Sequence, residues 1–273
     1  MDLGPVEEAL RPVLQQHGFA TARIAARRSY PTRANWKLVK ENFHECYHCR
    51  PCHPAYCEVN EHWKTEAHST PEAAAEWTAK NDAWHARLQR DGGFDPVVVG
   101  AVSTIFQPSD ISMFRNFGAR RTLIGGGRKT NSRDGAGVAP LMGGFRDYDG
   151  GHTSMSIGTL VYARGTCDHI AVFQFLPRSV ELTDVIISWL VDGRAADAQV
   201  DVARMIWMWD ETTIEDTAII ERNAAGVRSS AYRPGPYTRL EGRTRHMASD
   251  YLRELAGGHE AAKPRRAMQP SAV

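Results

Sequence analysis

The pattern of apolar and polar positions divides the chain into a helical first third, a strand-rich middle and a helical end. Val6, Leu10, Val13 and Leu14 recur at helical spacing and predict a short helix over residues 2–20. A linker with Pro31 follows, and Asn35 is placed to cap a second helix from Trp36 to about Cys49. Arg50 precedes Pro51 and is biased out of the helical region, which predicts the helix end there. An Ala- and Glu-rich run predicts a polar helix over 72–91. From residue 97 the texture changes to short β-type runs at 97–99, 104–106 and 112–114, then longer ones at 153–163, 169–176 and 183–191. The last two predict a hairpin across 177–181. The glycine-dense segment 124–151 is expected as a flexible surface loop or lid, since 125–130 lacks the spacing of a phosphate-cradling loop. Val202, Ile206, Trp209, Ile214, Ala218 and Ile219 predict a long helix over 195–225 with Gly226 as its stop. A last helix is expected near 239–256, and 257–273 reads as a frayed tail. Antiparallel strands bracketed by helices predict a single α+β domain.

Composition narrows the function classes. A chain of 273 residues with 42% hydrophobic and 24% charged residues supports a sizeable core. A formal net charge of +1 argues against nucleic acid or an anionic membrane surface as main partner. No apolar run has the length of a signal peptide core or a membrane span. Four of the five cysteines fall between Cys46 and Cys57, which does not resemble a dispersed disulfide framework, so a reducing cytoplasm is the expected location.

Candidate chemistry concentrates between His44 and His53, a stretch that holds three histidines and three cysteines. One reading is a zinc peptidase: His44-Glu45-x-x-His48 puts two imidazoles one helical turn apart with Glu45 as general base. Pro54 stands where the extended form of that motif has a third histidine. A second reading, an iron–sulfur run beginning Cys46-x-x-Cys49-x-x-Cys52, fails at Tyr56, where the fourth cysteine is due. A third is a mononuclear non-haem iron site using His48, His53 and a distant carboxylate. Five residues apart, those histidines point about 140° apart on an unbroken helix. The break expected at Pro51 lets His53 swing round. Which acid completes the site is left open by the residues alone.

A resemblance extends this reading. Asn35-Trp36-Lys37, Glu41-Asn42-Phe43, Glu45-Cys46-Tyr47-His48-Cys49 and His53-Pro54 resemble the iron-binding segment of Rieske-type ring-hydroxylating oxygenase α subunits, in their catalytic domain. The branch that includes choline and glycine-betaine monooxygenases is the nearest. The similarity continues through 139–143, Phe175-Leu176-Pro177, 209–216, Glu221, Gly226, Ser229, Tyr232, Pro234-Gly235-Pro236 and Glu241, covering about 30–255. It implies that Asp216, five residues before Glu221, is the third ligand beside His48 and His53. It implies Glu45 as the acid at the subunit junction that orients a ligand histidine and helps electrons reach iron. It implies a helix-grip (Bet v 1-like) fold, a twisted antiparallel sheet with flanking helices around one long C-terminal helix.

In that picture residues 1–30 are an N-terminal helix and linker, 31–256 the mononuclear iron domain, and 257–273 a flexible tail. The cofactor is Fe(2+), with O2 and a small organic substrate. The [2Fe-2S] cluster is expected on a partner, a Rieske-bearing protein or ferredoxin/reductase; a separate Rieske chain, a truncation and a loss of the module compete to explain why this sequence carries none, and the family's trimers suggest a homotrimer. Aromatic ring hydroxylation or oxidative N-demethylation of a quaternary amine follows. Asp210 and Glu215 compete with Asp216 as ligand. His44 is expected to be packed, Asn42 to lie near the metal, and Cys46, Cys49 and Cys52 to be packing thiols. Trp207, Trp209 and Tyr232 are core residues or pocket walls. A zinc peptidase through His44, Glu45 and His48, or a non-catalytic helix-grip binding protein, are the rivals.

Overall fold

The computed structural model describes residues 4–65, 69–100, 117–238 and 241–261. The alternating middle of the chain folds into one antiparallel sheet: β1 Ala22–Thr32, β2 Val97–Gly100, β3 Phe117–Leu123, β4 Gly151–Ile157, β5 Val161–Gly165, β6 Ile170–Ser179 and β7 Leu182–Asp192. Their spatial order is β1-β7-β6-β5-β4-β3-β2. The helices are α1 Gly4–Gln16, α2 Trp36–Asn42, α3 Cys49–Cys52, α4 Pro54–Val59, α5 Pro71–Arg90, α6 Val202–Val227 and α7 Gly242–Ala261.

Period-two alternation gives the sheet two faces with different partners. Ala171, Phe173 and Phe175 of β6 and Val185, Ile187, Trp189 and Val191 of β7 turn one way, against Met205, Ile206, Met208, Trp209, Ile220 and Ala224 of α6. Burying each of the larger of these side chains contributes about 1.5–3 kcal/mol. Ile170, Ala163 and Met155 turn the other way, against Val6, Leu10 and Val13 of α1. The sheet thus grips α6 on one side and is backed by α1 on the other, the helix-grip arrangement the resemblance implies.

Several expected elements are redrawn. The stretch expected as a linker is β1, an edge strand paired with β7 from Ala22↔Asp192 to Thr32↔Thr183, so the division at residue 30 falls inside a strand. The single strand expected over 153–163 is the hairpin β4–β5, which turns at Gly158 with φ 63°. Gly226 does not stop α6, which is capped at its start by Asp201 accepting from the Arg204 amide and runs to Val227. The segment 124–151 is packed rather than lid-like. Thr130, Asn131, Ser132 and Met142 are buried, and Gly143, at φ 58°, lies so close to the Gln16 carbonyl that a Cβ there would collide with it. The runs expected at 104–106 and 112–114 fall outside the described residues.

Candidate metal centre

The helix expected from Trp36 to Cys49 stops at Asn42, and the reason lies in the side chains that follow. The Asn35 side chain caps α2 by accepting from the Lys37 amide. After Phe43 the Glu45 carboxylate turns back on its own backbone and accepts from the Tyr47 amide. Such a local side-chain bond offers the backbone an alternative to the helix. The break expected at Pro51 is displaced: α3 starts at Cys49, so Pro51 sits in a first turn, where its missing N–H is not needed. The chain turns instead at His53, with φ −123° and ψ 71°, forced out of the helical region by Pro54 at the start of α4.

These two interruptions bring His48 and His53 to the same place with their rings 5.0 Å apart and nearly perpendicular. Asp216 reaches them from α6. His53 Nε2 lies 3.0 Å and His48 Nε2 3.3 Å from the same oxygen, Asp216 Oδ1. One ligand atom from each of the three residues falls within 4.8 Å of the others. Asn42 Nδ2 donates to Asp216 Oδ1 at 2.6 Å, adjoining the centre as expected. Glu45 does not join the three; its Oε1 lies 2.7 Å from His48 Nδ1. Glu215, weighed only as a rival ligand, holds His53 Nδ1 at 2.7 Å through Oε2. Each imidazole is therefore gripped by a carboxylate at Nδ1 while both Nε2 atoms face Asp216. That is the arrangement by which outer carboxylates fix the tautomer and orientation of a ligating histidine.

The electrostatics match a cation site. Burial alone would lower the pKa of His48, but hydrogen bonds to Asp216 and Glu45 outweigh it and hold it at about 9. His53 is raised by the same contest, with Asp216 and Glu215 prevailing over burial. Burial would raise Asp216, yet the two histidines pull it below the ordinary carboxylate range. A buried carboxylate with two imidazoles is a donor set that suits a divalent transition metal with open positions.

The other candidates are placed elsewhere. Asp210 accepts from Tyr30 Oη at 2.6 Å and pairs with Arg28, which ties α6 to β1. His44 is not among the three, and its Nδ1 is buried without a partner. Residues 43–48 are not helical, so the His44-Glu45-x-x-His48 geometry of a zinc peptidase does not form. Cys46 and Cys49, expected as packing thiols, are joined in a disulfide whose loop encloses His48, while Cys52 and Cys57 remain thiols. Trp209 packs edge-on to Phe173 and beside Tyr56, whereas Tyr232 is exposed. A surface depression of about 740 Å³ lined by Val138, Tyr148, Val202 and Arg204 holds none of the candidate ligands. Along α6 it lies about 18 Å from Asp216.

Beyond the centre, residues that carry no sequence motif gather on the gripping face: His62, His152, Arg164 and Tyr162. Tyr56 connects them to His53, its ring 6.4 Å from that of His53 and 5.7 Å from that of His62. Among the described residues no helix is long and apolar enough to cross a membrane.

The family described as the ring hydroxylating alpha subunit (catalytic domain) matches residues 19–257. The glycine betaine monooxygenase oxygenase subunit of Pseudomonas aeruginosa is 30% identical over 239 residues, covering 84% of this chain and 51% of that protein. The carnitine monooxygenase oxygenase subunit of Escherichia coli is 44% identical over 46 residues, 16% of this chain and 12% of that one. A solved quaternary ammonium Rieske monooxygenase shares the fold, with a TM-score of 0.53 at 16% identity over 93% of this chain and 56% of its own. The chain spans about half the length of the curated relatives it matches. It belongs to the ring-hydroxylating α-subunit family, in which it corresponds to the catalytic domain.

Proposed function

We propose that the chain is the catalytic part of a non-haem iron oxygenase, with Fe(II) held by His48, His53 and Asp216. The observation that carries this is the convergence of two Nε2 atoms on one buried carboxylate while Glu45 and Glu215 occupy both Nδ1 atoms. Held by these three residues, a ferrous ion would supply O2 activation, with electrons brought from outside.

The chain's own residues do the positioning. Glu45 and Glu215 keep the Nε2 lone pairs aimed at the centre, and Asn42 pins the Asp216 carboxylate. Phe43, Phe173, Phe175 and Trp209 pack edge to face in the core between the sheet and the helices. Tyr56, its ring 6.4 Å from that of His53 and 5.8 Å from that of Trp209, would give a substrate an aromatic wall. The relatives are named for monooxygenation of glycine betaine and carnitine, which supports a quaternary amine rather than an aromatic ring as substrate, with oxidative N-demethylation as the reaction read for it. Family membership supports electron supply by a partner bearing a [2Fe-2S] Rieske cluster and its reductase. A trimeric assembly and a cytoplasmic setting belong to the same proposal.

Metal analysis of protein loaded anaerobically tests the reading. One iron per chain is expected, abolished by His53→Ala and spared by His44→Ala. Zinc retained by His53→Ala and lost by His44→Ala would sink it.

A further inference from the structure

The polar group beyond Tyr56 has a composition that the iron centre does not explain. His62 and His152 stand with rings 6.5 Å apart, and Tyr56 Oη lies 2.9 Å from His62 Nε2. Arg164 of β5 donates from Nη1 to His152 Nε2 at 2.6 Å and to the Ser154 hydroxyl, with its guanidinium over the Tyr162 ring at 5.1 Å. Ser154 pairs with Arg164 across β4–β5, and His152 is two residues from Ser154 on the same face. This face packs on α4 and α6.

Three observations point to a missing anion. Arginine stays charged at any relevant pH, and among the described residues no carboxylate lies within salt-bridge distance of Arg164. Arg121, on the opposite face, gives the contrast: its Nε and Nη2 both reach Asp149, at 2.9 and 2.6 Å. Second, a guanidinium only donates, so His152 Nε2 must accept and the ring proton of the neutral imidazole sits on Nδ1. That N–H is buried with no partner in a residue 1% exposed, and the Nε–H of Arg164 is likewise buried without one. An unsatisfied buried donor costs about 1–3 kcal/mol. Third, burial and then Arg164, Arg120 and Arg243 hold His62 down at about 3, and His152 is lowered by the same kinds of cause. The histidines are neutral, so the positive charge here is that of the guanidiniums.

We propose that Arg164 and His152 seat the carboxylate end of the substrate. The carboxylate oxygens accept from Arg164 Nε and His152 Nδ1, and the rest of the molecule extends past Tyr56 toward His48, His53 and Asp216. An acceptor-only group satisfies both orphan donors and neutralises the guanidinium in one step. A quaternary amino acid fits this division, with its cationic head against the rings of Tyr56 and Trp209. The direction of the bound molecule rests on the oxygenase reading; the carboxylate seat does not.

The test is calorimetric titration with two matched pairs, glycine betaine against choline and benzoate against benzamide. It is run on metal-free and on iron-loaded anaerobic protein, for the unaltered chain, Arg164→Gln and Arg164→Lys. The unaltered chain should bind the carboxylate member of at least one pair ten-fold or more tightly than its partner. Arg164→Gln should lose that preference, Arg164→Lys should retain part of it, and both should keep their iron. Equal or tighter binding of the members that lack a carboxylate, no binding of either carboxylate at millimolar concentration, or an unchanged preference in Arg164→Gln overturns the proposal. The preference of the unaltered chain decides the matter even if Arg164→Gln does not fold. Protein that takes up no iron but prefers carboxylates would refute the oxygenase reading and leave this one standing.

Discussion

Glu215 and Asp216 are adjacent on α6, yet they hold opposite nitrogens of one imidazole: Glu215 Oε2 lies 2.7 Å from His53 Nδ1, and Asp216 Oδ1 lies 3.0 Å from His53 Nε2. Neighbours on a helix point about 100° apart, and the His53 ring, held at the α3–α4 turn, fits into that angle. On the proposed reading the pair separates two jobs, Glu215 aiming the ring and Asp216 completing the centre.

Glu215→Gln should consequently weaken iron binding about 10–100-fold without abolishing it, the range found for outer partners of ligating histidines. Asp216→Asn should cost far more. Iron affinities measured by competition with a chelator give the ratio, and equal losses for the two variants would contradict the division of roles.

The pH response of stability should differ between metal-free and iron-loaded protein. His48 is raised to about 9 in the folded chain, so its stabilising bonds are fully present below its unfolded value of 6.5 and are lost as pH rises through about 9. Asp216 is lowered, so its contribution is present above about 3.8 and lost on acidification. A ligating histidine has already shed that proton. Melting curves at pH 6 and pH 9 should therefore show the metal-free protein falling relative to the loaded one. Lys40, buried over Phe175 and held down at about 7, titrates in both forms and cancels from the difference. Parallel curves would refute the assignment.

Tyr30→Phe removes the hydrogen bond to Asp210 that ties β1 to α6. A bond to a charged acceptor is worth about 1.5–3 kcal/mol, which lowers Tm by several degrees in a domain of this size. Iron should still bind, because Glu221, accepting from the Arg33 amide at 2.9 Å, still fastens the helix to the end of β1.

The Cys46–Cys49 disulfide closes a very short loop, so its reduction should cost at most about 2 kcal/mol of global stability. Because His48 lies inside that loop, iron affinity should respond more than Tm does. A titration of the Cys46→Ser/Cys49→Ser double variant beside its melting curve compares the two, and a change in Tm alone would contradict the expectation.

Much of the sheet is legible in the sequence because both faces of β6 and β7 are covered and their residues are apolar. β1 is not: it lies at the sheet edge, and Arg23, Arg27 and Arg28 mask its pattern while Ile24 is exposed. The helix after Trp36 looks continuous because no local residue forbids it; the turn of Glu45 onto the Tyr47 amide is invisible to periodicity. His48 and His53 stand out by type and spacing. Asp216 does not, since Asp210, Glu211 and Glu215 lie within two turns, and only the rotational phase of α6 against the sheet separates them. Nor do His152 and Arg164, single residues on two strands whose meeting depends on sheet register.

The single rod of α6 carries Asp210, Glu215, Asp216 and Glu221, which engage Tyr30, the two nitrogens of His53 and the Arg33 amide. One added or deleted residue between Asp210 and Glu221 would rotate everything downstream by about 100° and unhook those engagements together. The turn at Val180 and Glu181, exposed between β6 and β7, is held more lightly, through the Val180 carbonyl accepting from Asn35 Nδ2 at 2.9 Å. Length changes in descendants of this chain should therefore collect at that hairpin tip, while the interior of α6 keeps an invariant count of residues even where its side chains drift.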